Sequence, residues 1–378
     1  MEQQFQKLKQ WLLYSGLVSK NDENYGGVHA YYDQKNKKYG FLYPEITGYF
    51  LSTLRFLNSI EKNDFYLTSA KASAEWLIKI HDKHGGIIQG INTHPSKQKL
   101  VYTFDNGICA KGFLDCFHLT NDKKYLQYGK KLVDWMINEA LEEDGTLKPF
   151  KNLNTNRFEE NSKLWYAKKG CLHIKLAIPI VELYHITNDQ NLLDKISLIC
   201  DNYSKFQNPD GSFSTNLDSK VIHTHSLCYA VEGLFHAYTV TNNKKYLESC
   251  KKALEWSTKL IQDDGSINLW FNSNNTQAKT CYHTAQLIRL MILMDKHENN
   301  NYFHNYVKSM ISFLNKMQAT NENIEINGGL YEEFYKSLFG WKLNQRINSW
   351  GSMFALQAFH WTTNLDKISL SDSITYLY

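Results

Sequence analysis

The sequence predicts an all-α fold, an (α/α)6 toroid in which six helical hairpins close into a ring. One observation is an internal repeat, since Thr120–Leu126 and Thr241–Leu247 lie 121 residues apart and agree at six of seven positions. Another is a series of glycine turns that recur every 54 to 66 residues. These turns contain Gly26, Gly85, Gly145, Gly211, Gly265 and Gly328. Repetition on this scale is typical of folds built from one repeated helical unit.

The unpaired helices at the two ends predict that the ring is closed. An amphipathic helix over 3–18 has Phe5, Leu8 and Trp11 at helical spacing, and no helix precedes it. A last helix over Ser349–Trp361 has no partner after it. If these two helices pack together they form the sixth hairpin. Closure then removes the exposed ends that an open array of repeats would have to cap.

Between these ends, helical patterns alternate with glycine turns. Pro44 suits the first turn of a helix, so the first pattern begins there and runs to about Ile60. The predicted pairs are 43–60 with 64–82, the two helices of 103–150, Cys171–Thr187 with Asp189–Phe206, His223–Thr241 with Lys244–Gln262, and Thr280–Lys296 with Asn301–Gln318. The first helix of each pair is the more apolar. We therefore expect it inside the ring and the more charged second helix outside.

The composition fits one globular domain over 1–378. An apolar fraction of 43% suffices for a large core, and 21% charged residues exclude a disordered chain. The net charge of +4 includes no basic block, which speaks against a dedicated nucleic-acid-binding protein. Seven cysteines without a CxxC pair indicate reduced thiols. Since we find neither a signal-peptide core nor a membrane span, we predict a cytoplasmic protein.

Three stretches within this pattern resemble a known superfamily. They are the helix opening Tyr43–Tyr49, the Asp105-Asn-Gly segment and the His223-Thr-His-Ser segment. With its six hairpins and glycine turns, nearly the whole chain resembles the six-hairpin glycosidase-like superfamily, and in particular toroids from bacterial surface-polysaccharide gene clusters. The resemblance implies a carbohydrate-active enzyme of polysaccharide biosynthesis. It leaves glycoside hydrolase and uronate lyase or sugar epimerase open, because a fold does not fix its reaction.

In such a ring the N-terminal ends of the inner helices line a funnel, where polar and aromatic side chains recur at every hairpin. Later turns of the same helices are mostly apolar. The predicted catalytic residues are Glu45, Asp105, His225 and His283. The predicted substrate-binding residues are Tyr43, Tyr49, Tyr102, His173, Lys175, Arg346 and Trp350, and His223 and Tyr282 occupy equivalent positions.

A hydrolase needs two carboxyl groups, one to protonate the leaving oxygen and one to activate water or attack the sugar. Glu45 and Asp105, on neighbouring inner helices, form the best pair by position. The acids Asp33, Glu332 and Glu333 are alternatives. Structural roles are open as well, since Asp105 could cap a helix and Glu45 could simply favour the helix dipole.

A lyase or epimerase needs other groups at the same place. A cation or hydrogen-bond donor must neutralise a uronate carboxylate, and a Tyr, His or Lys must remove the neighbouring proton. The predicted funnel supplies these types. They are His225, His283, Tyr43, Lys175 and Arg346.

Two further alternatives concern metal binding and non-catalytic binding. Zinc takes Cys and His ligands, and such residues lie two apart at three successive helices. These are Cys171 and His173, His223 and His225, and Cys281 and His283. Because side chains two apart on a helix point in different directions, we predict no metal and no cofactor. The other alternative is a toroid that binds a glycan or a partner protein in the funnel without catalysis.

Overall fold

The structure, a computed structural model, describes residues 1–91, 99–364, 367 and 369–378. The described α-helices are α1 (Glu2–Tyr14), α2 (Pro44–Ile60), α3 (Asp64–His84), α4 (Thr103–Thr120), α5 (Lys123–Trp135), α6 (Ala177–Thr187), α7 (Asn191–Tyr203), α8 (Thr224–Thr241), α9 (Lys244–Thr258), α10 (Cys281–Glu298), α11 (His304–Met317), α12 (Ser349–Asn364) and α13 (Leu370–Tyr376). They form the predicted toroid of six helical hairpins.

The even-numbered helices from α2 to α12 form the inner ring. Successive inner helices contact one another, α12 returns to contact α2, and α1 packs on α12 as the sixth outer helix. The inner and outer helices differ in how many of their residues are buried. Helix α4 buries every residue from Thr103 to Cys116, whereas α5 buries only Tyr125, Gly129, Leu132 and Val133. The predicted inner and outer assignment of these helices is therefore confirmed.

The predicted glycine turns connect each hairpin to the next. Gly211 has a φ of +97°, and a Cβ at this position would lie 2.4 Å from the carbonyl oxygen of Lys252 in α9. Gly328 has a φ of +94° and lies equally close to the carbonyl oxygen of Lys7 in α1. Only glycine combines this backbone conformation with such an approach. At five of the six turns the glycine thus lets the chain pack against the next outer helix, whereas a Cβ at Gly85 would meet no neighbour. Gly328 makes the contact that closes the ring.

Short antiparallel strands lie at one end of the ring. They are β1 (Tyr31–Asp33), β2 (Lys38–Tyr39), β3 (Leu100–Tyr102), β4 (Phe150–Asn152), β5 (Arg157–Glu159), β6 (Ile222–His223), β7 (Trp270–Phe271), β8 (Ala278–Thr280), β9 (Leu330–Tyr331), β10 (Glu333–Ser337), β11 (Gly340–Leu343) and β12 (Arg346–Asn348). The sheet orders are β2-β1-β12-β9, β11-β10-β8, β3-β4-β5 and β6-β7. Strands β3, β6, β8 and β12 run directly into the inner helices α4, α8, α10 and α12. The sheets therefore surround the ends where these helices begin.

Three local features differ from the sequence prediction. Helix α1 ends at Tyr14 and not at residue 18, because Gly16 takes a φ of +95°. The third inner helix begins as a 3-10 helix over Cys171–Leu176 before α6. Helix α13 was not predicted. It is only seven residues long and is held by contacts with α2 and α10 that a local pattern does not encode.

Candidate active site

A cavity of about 360 Å³ opens at the end of the ring where the inner helices begin. Its described lining residues are Phe41, Tyr43, Glu45, Ile46, Gln89, Tyr102, Phe104, Asp105, Trp165, Tyr166, Leu172, His225, Tyr229, Tyr282 and Trp350. Nine of these fifteen are aromatic, whereas only two are acids. A largely aromatic cavity with a few converging polar groups is typical of a small-molecule site, and aromatic faces suit sugar rings.

Two buried carboxyl groups share this cavity. Glu45 is the second residue of α2 and Asp105 is the third residue of α4, and they are 8% and 4% exposed. Burial raises the pKa of Glu45 to about 7. Burial and the nearby charge of Glu45 raise the pKa of Asp105 well above its ordinary value. The N-cap of α4 is Tyr102, so the interpretation of Asp105 as a helix cap is wrong.

The two carboxyl groups differ in what surrounds them. The phenol of Tyr43 hydrogen-bonds Glu45 and the ammonium of Lys175 attracts it, and both effects favour the ionised form. Asp105 has no such cation, and its Oδ2 is buried without a hydrogen-bond partner. A carboxyl group that lacks these partners holds its proton more strongly. Of the pair, Asp105 therefore holds its proton more strongly, and Glu45 ionises first.

The His225 ring is oriented by a chain of hydrogen bonds. The side-chain amide of Gln286 donates to Glu232 Oε1 at 3.1 Å, so its oxygen faces His225 Nδ1 at 2.5 Å. This arrangement requires a proton on Nδ1 and leaves a lone pair on Nε2. Burial lowers the pKa of His225 well below its ordinary value. The imidazole is therefore neutral at neutral pH, and its free nitrogen can accept a proton.

Lys175 lies beneath the cavity and is fully engaged by the protein. Its Nζ donates to Glu232 Oε2 at 2.6 Å, and it lies 4.5 Å from the ring centroid of Tyr229 and 5.0 Å from that of Tyr49. Burial lowers the pKa of Lys175 to about 8. Lys175 is 1% exposed and therefore does not face solvent. Lys175 instead acts on the site through its charge, from below Glu45.

Aromatic side chains from several elements form the walls. Trp350 of α12 packs on Tyr282 of α10 with ring centroids 5.6 Å apart, and Tyr102 packs on Tyr166 at 5.7 Å. Trp165 and Tyr166 come from the segment between β5 and the 3-10 helix at Cys171. Neither residue is among the site residues predicted from the sequence. Their position in a long connection at the ring mouth was the available signal, because such segments commonly shape a site.

Other predicted site residues lie outside the cavity. Both ring nitrogens of His283 are bound by the protein, Nδ1 to Thr280 Oγ1 at 2.6 Å and Nε2 to the Ile267 carbonyl at 3.0 Å. His173 is buried behind the wall, where its Nδ1 contacts the backbone of Gly170. These partners give both histidines structural positions. The prediction of His283 as a catalytic group does not fit this placement.

Three further residues that the sequence analysis placed at the funnel, Arg346, Tyr49 and His223, also lie outside the cavity lining. Arg346 is exposed on β12, with its guanidinium 4.3 Å from the ring centroid of Tyr31. Its charge acts on Asp33, Glu332 and Glu333. These alternative acids therefore surround Arg346 at the rim. Tyr49 lies below the cavity under Lys175, and His223 is packed between Trp165 and Trp270 with both ring centroids at 4.1 Å.

The remaining alternatives can be compared with the described residues. No three His, Cys, Asp or Glu side chains among them are grouped as a metal site requires. Cys171 and Cys281 are free thiols in the core. None of the helices in the described ranges has the length and hydropathy needed to cross a bilayer.

Comparison with known proteins gives a family and several structural relatives. Residues 46–240 match the sequence model of glycosyl hydrolase family 76, and curated proteins gave no match. A cellobiose 2-epimerase from Bacillus thermoamylovorans B4167 superposes with a TM-score of 0.76 at 16% identity, over 95% of this chain and 99% of that one. A D-mannose isomerase gives 0.77 at 10% identity, over 96% and 98%. A GH76 α-mannanase from Bacteroides thetaiotaomicron gives 0.61 at 17% identity, over 96% of both chains.

Proposed function

Because the chain belongs to glycosyl hydrolase family 76 and is therefore a carbohydrate-active enzyme, we propose that it hydrolyses a glycosidic bond in a neutral oligosaccharide. The observation that carries this proposal is the pair Glu45 and Asp105. These are two buried carboxyl groups in one aromatic cavity, and their surroundings separate their proton affinities. Two carboxyl groups with different protonation states are what glycoside hydrolysis requires.

The surroundings of the pair assign a role to each group. Asp105 keeps its proton and donates it to the departing glycosidic oxygen. Glu45, ionised with the help of Tyr43 and Lys175, either activates a water molecule or attacks the anomeric carbon. In both courses one water is added across the bond, so its oxygen ends on the anomeric carbon and a proton ends on the leaving oxygen. The aromatic walls, including Trp350, hold the sugar ring.

The charges around the cavity favour a neutral sugar over a uronate. No Lys or Arg is among the described lining residues. Lys175 is paired with Glu232 beneath the floor, and Arg346 stacks on Tyr31 among three acids at the rim. A uronate carboxylate would therefore meet two acids and no free cation. This counts against the lyase alternative, whose chemistry needs that charge neutralised.

A second candidate is an epimerase or isomerase acting on the reducing end of a sugar. The specific observation in its favour is His225, which Gln286 holds with a neutral Nε2 available to remove a proton next to a carbonyl. A cellobiose 2-epimerase and a D-mannose isomerase share the fold over almost the whole chain. Because these two structures are less than 25% identical to the chain, their likeness supports only the shared fold. Membership of glycosyl hydrolase family 76 favours hydrolysis.

The setting of the reaction is also part of the proposal. The protein would act in the cytoplasm as one domain over 1–378, on an intermediate of bacterial surface-polysaccharide metabolism. The resemblance of Tyr43–Tyr49, Asp105-Asn-Gly and His223-Thr-His-Ser to toroids from such gene clusters supports this setting.

The test is incubation of the purified chain with neutral and uronate-containing oligosaccharides in ¹⁸O-labelled water, followed by mass spectrometry. Hydrolysis predicts fragments that have gained one water, with the label on the new reducing end of neutral substrates. Asp105→Asn should abolish this incorporation, because the leaving oxygen loses its proton donor.

Other products would overturn the hydrolase proposal in favour of a stated alternative. Fragments without added water and with a new ultraviolet-absorbing double bond would identify a lyase. An unfragmented isomer that gains one deuterium in heavy water, and loses this exchange in His225→Gln, would identify the second candidate. Retained glycan binding by isothermal titration with no product from any substrate would identify a non-catalytic binding toroid.

A further inference from the structure

The β10–β11 hairpin carries an exposed apolar tip. Leu338 is 99% exposed and Phe339 is 88% exposed, which makes them the most exposed large apolar side chains in the described ranges. Trp341, on the returning strand, is 41% exposed. Large apolar side chains that project together into water are uncommon on a soluble protein and usually mark an interaction surface. We call Leu338, Phe339 and Trp341 the hairpin tip.

Lysines surround the hairpin tip on both strands. Lys336 and Lys342 are exposed, and neither makes an ion pair with a described residue. The Lys342 ammonium lies 5.6 Å from the ring centroid of Phe339, and that of Lys279 lies 4.8 Å from the centroid of Trp341. Lys279 is also paired with Asp264. The tip is therefore apolar at its end and positively charged along its sides.

This arrangement suits a lipid surface better than the other plausible partners. A glycan would stack on flat aromatic faces, but lysine ammonium groups lie over the rings of Phe339 and Trp341. A second copy would add a strand to the free edge of β11, but Lys342 on that strand opposes edge pairing. A narrow protrusion also buries too little area for a stable protein interface. Apolar and aromatic tips with basic flanks match the boundary of an anionic bilayer.

We propose that the β10–β11 hairpin is a peripheral docking element for anionic lipid surfaces, with Leu338 and Phe339 entering the interface and Lys336 and Lys342 contacting the headgroups. The hairpin is joined to the candidate site. Thr280, opposite Glu333 at its base, is followed by Cys281 and the cavity residue Tyr282. From this base to the turn at Ser337 the strand rises by roughly 13 Å. A docked hairpin would therefore hold the mouth of the cavity close to the membrane.

The test is co-sedimentation of the full chain with vesicles of phosphatidylcholine alone and of phosphatidylcholine mixed with phosphatidylglycerol. We expect binding to the mixed vesicles only, weakened by added salt. Leu338→Ser combined with Phe339→Ser should reduce this binding at least about tenfold. Neither serine would gain the free energy that an apolar side chain gains on transfer from water into the lipid interface. Lys336→Gln and Lys342→Gln should each reduce it about fivefold.

The matched control is Leu217→Ser combined with Ile324→Ser, which removes two apolar side chains that are 61% and 56% exposed elsewhere on the surface. It should leave vesicle binding unchanged. Absence of wild-type binding, or equal losses in the control and the tip variant, would overturn the proposal. So would a dimer in sedimentation equilibrium that only the tip variant abolishes. Turnover of a soluble substrate should be unaffected in the tip variant, so this test is independent of the proposed reaction.

Discussion

Two groups of buried acids at opposite ends of the ring have different surroundings. At the mouth, Glu45 and Asp105 face an aromatic cavity with no ion pair of their own among the described residues. At the opposite end, Asp115 Oδ1 accepts from both Arg55 and Lys111 at 2.5 Å. Glu182 there accepts from Arg55 at 2.8 Å and from His118 Nε2 at 2.8 Å.

Charged partners, and not burial, distinguish the two groups of acids, because both groups are buried. Burial raises the pKa of Glu45 and Asp105, whereas the pKa of Glu182 is lowered well below its ordinary value by Lys111 and Arg55 in spite of burial. Acids at the opposite end, which we call the base of the ring, are compensated by cations and hold inner helices together. Acids at the mouth cost stability when ionised, which is typical of groups retained for chemistry. The following predictions test this difference.

The largest expected effect is on turnover. Asp105→Asn should lower kcat about 10³- to 10⁴-fold, because the proton donor is lost. The melting temperature should not fall, since the buried carboxyl group has no cationic partner to lose. The measurements are steady-state kinetics and thermal unfolding followed by circular dichroism.

The matched variant at the base is Asp115→Asn. It should reduce the free energy of unfolding by about 3 kcal/mol, because it leaves Lys111 and Arg55 less compensated. The folded fraction should keep its kcat. If Asp105→Asn destabilised the protein as much as Asp115→Asn, or left kcat unchanged, the functional distinction between mouth and base would be wrong.

The pH dependence of stability should have opposite signs in the two regions. The pKa of folded Glu45 is raised to about 7, so between about pH 4.5 and 7 the unfolded chain has lost a proton that the folded one keeps. Wild-type stability relative to Glu45→Gln should therefore fall as the pH rises across this window, by about 3 kcal/mol. The pKa of Glu182 is lowered instead. Its contribution should be present at neutral pH and lost as the pH falls below about 4.5.

Urea unfolding of wild type, Glu45→Gln and Glu182→Gln at a series of pH values measures both effects. Stability differences of the same sign, or an effect of Glu45→Gln that is independent of pH, would contradict the assigned charge states. The comparison needs no substrate, so it stands even if the reaction differs from hydrolysis.

The smallest expected effect is the loss of the Trp350 ring from the cavity wall, for which Trp361 is the packing control. Trp350→Ala should raise KM about tenfold with little change in stability, because its partly exposed ring stacks on substrate in the cavity. Trp361, on the same helix, is only 1% exposed. Trp361→Ala should instead lower the free energy of unfolding by about 3–5 kcal/mol and leave KM unchanged. Kinetics and urea unfolding on both variants distinguish binding from packing.

The architecture of the ring can be predicted from the amino-acid sequence alone. The repeat around Thr120–Leu126 and the six glycine turns predicted the ring, because all six turns need a residue with positive φ and five of them also need the absence of a Cβ where they meet the next outer helix. Local patterns likewise predicted which helix of each pair is inside. These features are encoded within short segments, so they can be read without knowing the rest of the chain.

Which polar residues at the mouth reach the cavity depends on how the ring packs, and this cannot be predicted from local patterns. Glu45, Asp105 and His225 line it, whereas His283 turns to Thr280 and Ile267. The orientation of His225 depends on Gln286, which lies 61 residues away in the chain. Lys175 is held beneath the cavity by Glu232, which lies 57 residues away. Trp165 forms part of the cavity wall from a long connecting segment. Such roles depend on partners that are distant in sequence, and only the closed ring brings them together.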